Sequence, residues 1–139
     1  MNRAGRLLAA AAMAASATLV FGGSAAYAGT DGPQVESPDK GASVWFEQRG
    51  DKLHIFDQLE DGRAAVGLWK AQHPKDPNMR VLCDPVWNTK GQGYQVDAKC
   101  HYDGKYREFP EGWRVEYYSC TGNAADRTIG TCTMSNAKS

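Results

Sequence analysis

Tyr94-Gln95-Val96-Asp97-Ala98-Lys99-Cys100-His101-Tyr102 alternates apolar and polar residues without a break. Tyr94, Val96, Ala98 and Cys100 share one parity, while Gln95, Asp97, Lys99 and His101 share the other. A two-residue period belongs to a strand with one buried face, so the stretch predicts a β-strand that turns Cys100 to the core. Asp103-Gly104 follows as a hairpin signal, because both residues tolerate the positive φ of a tight turn, and residues 105–109 return as the next strand.

The same grammar recurs along the rest of the chain. Residues 43–48 and 52–56 flank the turn Arg49-Gly50-Asp51, and Val44 and Phe46 then share a face with Leu53 and Ile55. The turn Glu60-Asp61-Gly62 leads into residues 63–70, expected as the third strand of an antiparallel meander. Residues 71–80 hold Pro74, Pro77 and Asn78 and read as a long surface loop. Strands are expected again over 81–86, 113–120 and 128–134, separated by turn chemistry at 88–93, 110–112 and 123–127. Cys120 falls on the polar parity of its strand, which implies a surface or strand-end bridge unless a bulge shifts the register. No ten-residue segment carries a helical apolar period, so the fold class is all-β, a small antiparallel β-sandwich of seven or eight strands.

Residues 1–28 read as a secretory signal peptide: Arg3 and Arg6, an Ala/Leu-rich run over 7–21, and Ala26-Tyr27-Ala28 before Gly29. The mature chain is therefore expected outside the cell, in an oxidising environment. No later apolar stretch approaches the ~20 residues of a membrane span, so no membrane contact is expected after cleavage. Residues 29–42, rich in Gly, Pro, Asp, Ser and Lys, read as a flexible N-terminal tail ahead of a single domain over 43–139. The 16 basic residues lose Arg3 and Arg6 with the leader while the 16 acids stay, which gives 14 − 16 = −2 for the mature chain. The remaining cations are interspersed with acids, so nucleic acid is not an expected partner.

Four cysteines, Cys83, Cys100, Cys120 and Cys132, imply two disulfides in a small secreted chain. Three pairings are possible, and proximity favours Cys83–Cys100 with Cys120–Cys132. No close C-x2-4-C pair supports zinc, and no other cofactor has a fingerprint here. Asp51, Asp57, Glu60 and Asp61 lack the ligand spacing of an EF-hand loop and read as solvated turns.

Gly50-Asp51-Lys52-Leu53-His54-Ile55-Phe56-Asp57 with Asp61-Gly62-Arg63-Ala64-Ala65-Val66 resembles the recurring core of small secreted actinobacterial proteins of uncharacterised activity. Trp113-Arg114-Val115-Glu116-Tyr117-Tyr118-Ser119-Cys120 and Gly130-Thr131-Cys132 are similar to the ends of those proteins. The likeness covers about residues 43–134 and carries over no functional residue. As one alternative, the resemblance to some of those proteins implies an adaptor subunit of an extracellular protein complex or secreted antibacterial toxin particle.

His54, His73 and His101 have no recognisable catalytic partner in sequence, and oxidised cysteines leave no thiol nucleophile, so enzymatic activity is not expected. Of the tryptophans, Trp69 and Trp113 are expected to be buried or half-buried, and Trp45 and Trp87 to be exposed. The leading contact surface is the loop over 71–80, with His73, Lys75, Asp76, Asn78, Met79 and Arg80, and the N-terminal tail comes second. These features point to a secreted non-enzymatic protein-interaction module whose partner is another secreted or cell-surface protein. Two alternatives stand beside it. One is a protease inhibitor whose bait loop is braced by Cys83, and the other is a carbohydrate- or small-ligand-binding domain using the exposed aromatic rings.

Overall fold

The computed structural model describes residues 31–139, so the expected signal peptide over 1–28 lies outside the described residues. Ten strands form: β1 (Val35–Glu36), β2 (Ala42–Glu47), β3 (Lys52–Asp57), β4 (Ala64–Gln72), β5 (Arg80–Leu82), β6 (Val86–Asn88), β7 (Gln95–Tyr102), β8 (Lys105–Arg107), β9 (Arg114–Asn123) and β10 (Thr128–Lys138). The first sheet runs β1-β2-β3-β7-β8 and the second β10-β9-β4-β5, with β6 also pairing β4; every pairing is antiparallel. The two sheets pack face to face as an all-β sandwich. The alternation in β7 has its expected outcome, with Cys100 fully buried, and Asp103-Gly104 turns with positive φ at both residues.

In β2, β3 and β9 the inner faces are built from the parities that the sequence marks as apolar, and in β4 from Ala65, Trp69 and Ala71. Val44, Phe46, Leu53 and Ile55 of the first sheet pack against Ala65, Trp69, Ala71, Val115 and Tyr117 of the second, with Phe109 closing one end. Phe46, Trp69 and Phe109 form an aromatic cluster in which Trp69 meets Phe109 edge-on at 5.4 Å.

The expected meander does not form. β4 leaves β3 and crosses to the second sheet, and β7 takes the place beside β3, with Leu53 opposite Ala98 and Ile55 opposite Val96. β4 pairs instead with β9, and Gly67 permits its close approach to the first sheet. A Cβ there would fall 2.8 Å from both Leu53 and Ile55, so the missing side chain lets β4 stack across β3 in the opposite layer. The strand count also exceeds seven or eight, because Cys83-Asp84-Pro85 splits the segment expected over 81–86 into β5 and β6 and because β1 forms.

The segment expected as a flexible tail is built into the sandwich from Asp31 onward. Gly32 N–H donates to Phe46 O at 2.9 Å, Val35 and Glu36 pair with β2, and Ser37 and Ala42 are buried. From the opposite sheet, the Tyr117 hydroxyl donates to Pro33 O at 2.5 Å. Composition does not show this, because the segment is held by backbone pairing and by polar contacts with distant residues, among them Asp31 with Gln48, Gln34 with Ser43 and Asp39 with Thr121, and contributes few apolar side chains of its own.

Both expected bridges are present, Cys83–Cys100 and Cys120–Cys132. Cys83–Cys100 ties the end of β5 in the second sheet to β7 in the first, whereas Cys120–Cys132 joins directly opposed residues of β9 and β10. Cys120 is fully buried, contrary to the surface position its parity suggested. A register shift between Ile129 and Cys132 brings Cys132 opposite it, and the outer face of the second sheet is covered locally by buried Val66 and by Trp87, paired to Val66.

Candidate functional site

The β4–β5 connection is shorter than the expected loop, because Ala71 and Gln72 belong to β4 and Arg80 to β5, with Ala71 opposite Val81 and Gln72 opposite Arg80. Within residues 73–79 the chain bonds to itself. His73 N–H donates to Met79 O at 2.9 Å and Met79 N–H to Asp76 O at 3.1 Å. His73 Nδ1 accepts the N–H groups of Lys75 and Asp76, each at 3.1 Å, and Asp76 Oδ1 accepts Asn78 N–H at 2.9 Å. The His73 ring stands edge-on against Trp113 at 5.7 Å. His73 and Asp76 therefore shape the loop from within, and Lys75, Asn78, Met79 and Arg80 are left exposed.

Trp45 lies elsewhere, half-buried on the outer face of the first sheet. Its ring stacks on His54 with centroids 5.1 Å apart, so the exposure expected for Trp45 is taken up by an imidazole. His54 is only 8% exposed. Its Nδ1 sits 2.6 Å from Asp97 Oδ1 and its Nε2 2.8 Å from Glu47 Oε2, which links β2, β3 and β7 through one ring. The Gln95 amide donates to Asp97 at 2.6 Å. That bond, aided by His54, holds the Asp97 carboxyl below the ordinary carboxylate range, although partial burial pushes the other way. Both ring nitrogens are occupied by carboxylates, so His54 has none left to act as a base on a ligand.

Trp87 is also half-buried, and it lines a groove of about 360 Å³ where β6 of the second sheet runs beside β7 and β8 of the first. Asp84, Lys99, His101, Tyr106 and Arg127 complete its chemistry. His101 Nδ1 lies 2.6 Å from Asp84 Oδ2, and Asp84 N–H donates to His101 O at 2.7 Å. Each residue of this pair is the chain neighbour of a bridged cysteine, so Cys83–Cys100 fixes the pair from below. Tyr106 is 75% exposed and meets the His101 ring edge-on at 5.2 Å, while the Arg127 guanidinium lies over Trp87 at 5.1 Å. The groove thus offers aromatic surface flanked by two cations and one His–carboxylate pair.

The sequence-predicted residues consequently fall in three separate places: the loop at one end, Trp45 on one outer face and Trp87 in the side groove. Tyr106 was legible in principle, since a two-residue Asp103-Gly104 turn pairs Tyr102 with Lys105 and His101 with Tyr106. Asp84 and Arg127 reach the groove from the other sheet and leave no local signal.

Two of the acids expected in solvated turns are in fact buried. Asp51 accepts Phe109 N–H at 2.8 Å, and Asp57, 3% exposed, accepts Leu59 N–H at 3.3 Å; burial pushes both carboxyls up. Asp57 borders a second open cavity of about 290 Å³ with Glu60, Asp61, Arg63 and Asn88. The Asn88 side chain braces that end by donating to Ile55 O at 3.0 Å and Tyr94 O at 2.7 Å.

No protein-family model, curated protein or solved structure matches this chain.

Proposed function

We propose that the protein is a secreted, non-enzymatic module that docks on another extracellular protein through the loop over residues 73–79. The observation that carries this reading is the loop's internal bonding around His73 and Asp76, which fixes its shape while Lys75, Asn78, Met79 and Arg80 remain free for contact. A loop whose backbone is already held avoids the loop-ordering part of the cost of association. The Cys83–Cys100 bridge, one residue past β5, braces its return strand. The leader-like residues 1–28 and two disulfides support the extracellular setting.

The test compares immobilised wild-type protein with a variant carrying Gly/Ser at 74–79, which spares His73 and the paired Arg80. Both are exposed to culture medium of the source cells, and bound proteins are identified by mass spectrometry. A partner held by the wild type and lost by the variant is the expected result; equal retention by both overturns the assignment. If the partner is a protease whose turnover stops on binding, the module is an inhibitor, and if it is a non-catalytic subunit, an adaptor.

The groove favours a second reading, binding of a small extracellular ligand such as a carbohydrate. Exposed Tyr106 beside Trp87 offers stacking surface, with Lys99 and Arg127 able to hold an acidic group. Tryptophan fluorescence titrated with neutral and acidic oligosaccharides tests it, and a response that survives Tyr106→Ala overturns it.

A further inference from the structure

The two sheets present four edges, and three of them are blunted. β1 has two residues; β8 has three, and the part of β7 it leaves unpaired, Gln95–Lys99, carries the charges Asp97 and Lys99; β5 and β6 have three residues each and are separated by a segment ending in Pro85. Short strands and proline are the usual means of keeping edges from pairing with other chains. β10 is built differently: eleven residues, no proline, and a single charge, Lys138, at its end. Its irregularity is confined to Ile129–Cys132. From Cys132 opposite Cys120 to Lys138 opposite Arg114 the register along β9 is unbroken.

The direction of the backbone groups follows from the geometry. Cys120 and Cys132 have Cα atoms 4.4 Å apart, the spacing of an antiparallel pair whose N–H and C=O groups point away from each other. Ser139 N–H donates to Trp113 O at 3.0 Å, which places the odd-numbered residues in the bonded phase with β9. Thr133, Ser135 and Ala137 therefore bond to β9. The N–H and C=O groups of Cys132, Met134, Asn136 and Lys138 point outward, and among the described residues no strand pairs with that side of β10.

We infer that this edge joins two copies of the chain, antiparallel along Cys132–Lys138 about a twofold axis at Ser135, so that two second sheets become one continuous sheet. In that register Met134 faces Asn136 of the second copy and Cys132 faces its Lys138, so every outward residue meets an outward residue. The two lysines lie at opposite ends. Met134, 50% exposed, comes diagonal to Met134 of the second copy on the same face. A foreign strand would need alternating pockets or charges to be selected, and the Thr, Ser and Asn side chains of this edge supply neither, whereas self-pairing needs only the symmetry.

The test is self-association of the protein lacking residues 1–28, followed by sedimentation across concentration. Met134→Lys/Asn136→Lys and Met134→Glu/Asn136→Glu each set like charges across the axis, on outward side chains that leave the core untouched. Each variant alone is expected to associate about tenfold more weakly or worse than wild type, and an equimolar mixture to recover a mixed dimer. The Met134 and Asn136 amides should become protected from hydrogen exchange as concentration rises, while Thr133 and Ser135 are protected throughout. Unchanged thermal unfolding in dilute solution shows that the variants fold. A wild-type protein that stays monomeric up to about 1 mM overturns the inference, as does a dimer indifferent to both charge variants or a β10 edge occupied by a different protein.

Discussion

Replacing Cys83 and Cys100 together by alanine removes the disulfide that joins the two sheets. The cysteines are 17 residues apart, and loop-closure entropy for that separation corresponds to ~3.1 kcal/mol at 25 °C. Both residues are buried, so the lost sulfur packing adds to the cost. At roughly 4 °C per kcal/mol for a domain of this size, the melting temperature should fall by about 12 °C or more. Guanidinium unfolding of wild type and double variant, followed by tryptophan fluorescence, measures the difference directly. The Cys120→Ala/Cys132→Ala pair is the control, since its separation of 12 gives a similar ~2.8 kcal/mol. The two variants should differ in location: only loss of Cys83–Cys100 should loosen Asp84 and His101 and shift the Tyr106 ring resonances. A loss below about 1 kcal/mol with an unchanged denaturant slope would refute the chain-constraint argument.

Gly67→Ala places a methyl against Leu53 and Ile55 and should destabilise by about 1–3 kcal/mol in urea unfolding, with Gly62→Ala serving as a contrast that strains a turn and leaves the core alone. Tyr117→Phe removes the hydroxyl that holds Pro33, and should cost about 1–2 kcal/mol while making residues 31–37 more sensitive to proteolysis than the rest of the chain. Asp51, whose carboxyl is raised chiefly by burial, contributes stability below its unfolded value near 3.8, and that contribution is lost as pH rises through the folded value. Asp51→Asn keeps an acceptor for Phe109 N–H, so it should match or exceed wild-type stability at pH 7 and lose that advantage in acid; equal pH profiles for the two proteins would contradict this.

Legibility in the sequence followed the range of the interactions. The hairpins β2–β3 and β7–β8 were readable because a turn signal lies between two alternating segments, and both bridges followed from the spacing of their cysteines. The placement of β4 in the second sheet was not readable, since the same alternation of Ala65, Gly67 and Trp69 suits a neighbour in the sheet or a neighbour across the core. What separates the two is tertiary: β4 pairs along its length with β9, and Gly67 and Trp69 meet Leu53, Ile55 and Phe46 across the core. His54 gave no sign of its role, because Glu47 and Asp97 become its partners through strand pairing on both sides. The loop was located correctly by its prolines, yet its shape depends on His73, whose ring bonds two following backbone amides in a way composition does not show.

The ladders that hold each sheet together join strands distant in the chain: Leu53 with Ala98 in the first sheet, and Leu68 with Tyr118 in the second. Such connectivity is slow to assemble, on the order of milliseconds to seconds for all-β domains. Strands β2 to β6 can make their local turns as they emerge, but neither sheet can close before β7 and β9 have arrived. The amino-terminal half therefore has no stopping point at which it is folded alone. A chain delayed in this way stays open while it is being made, and it commits to its shape only once β9 has joined the ladder of β4.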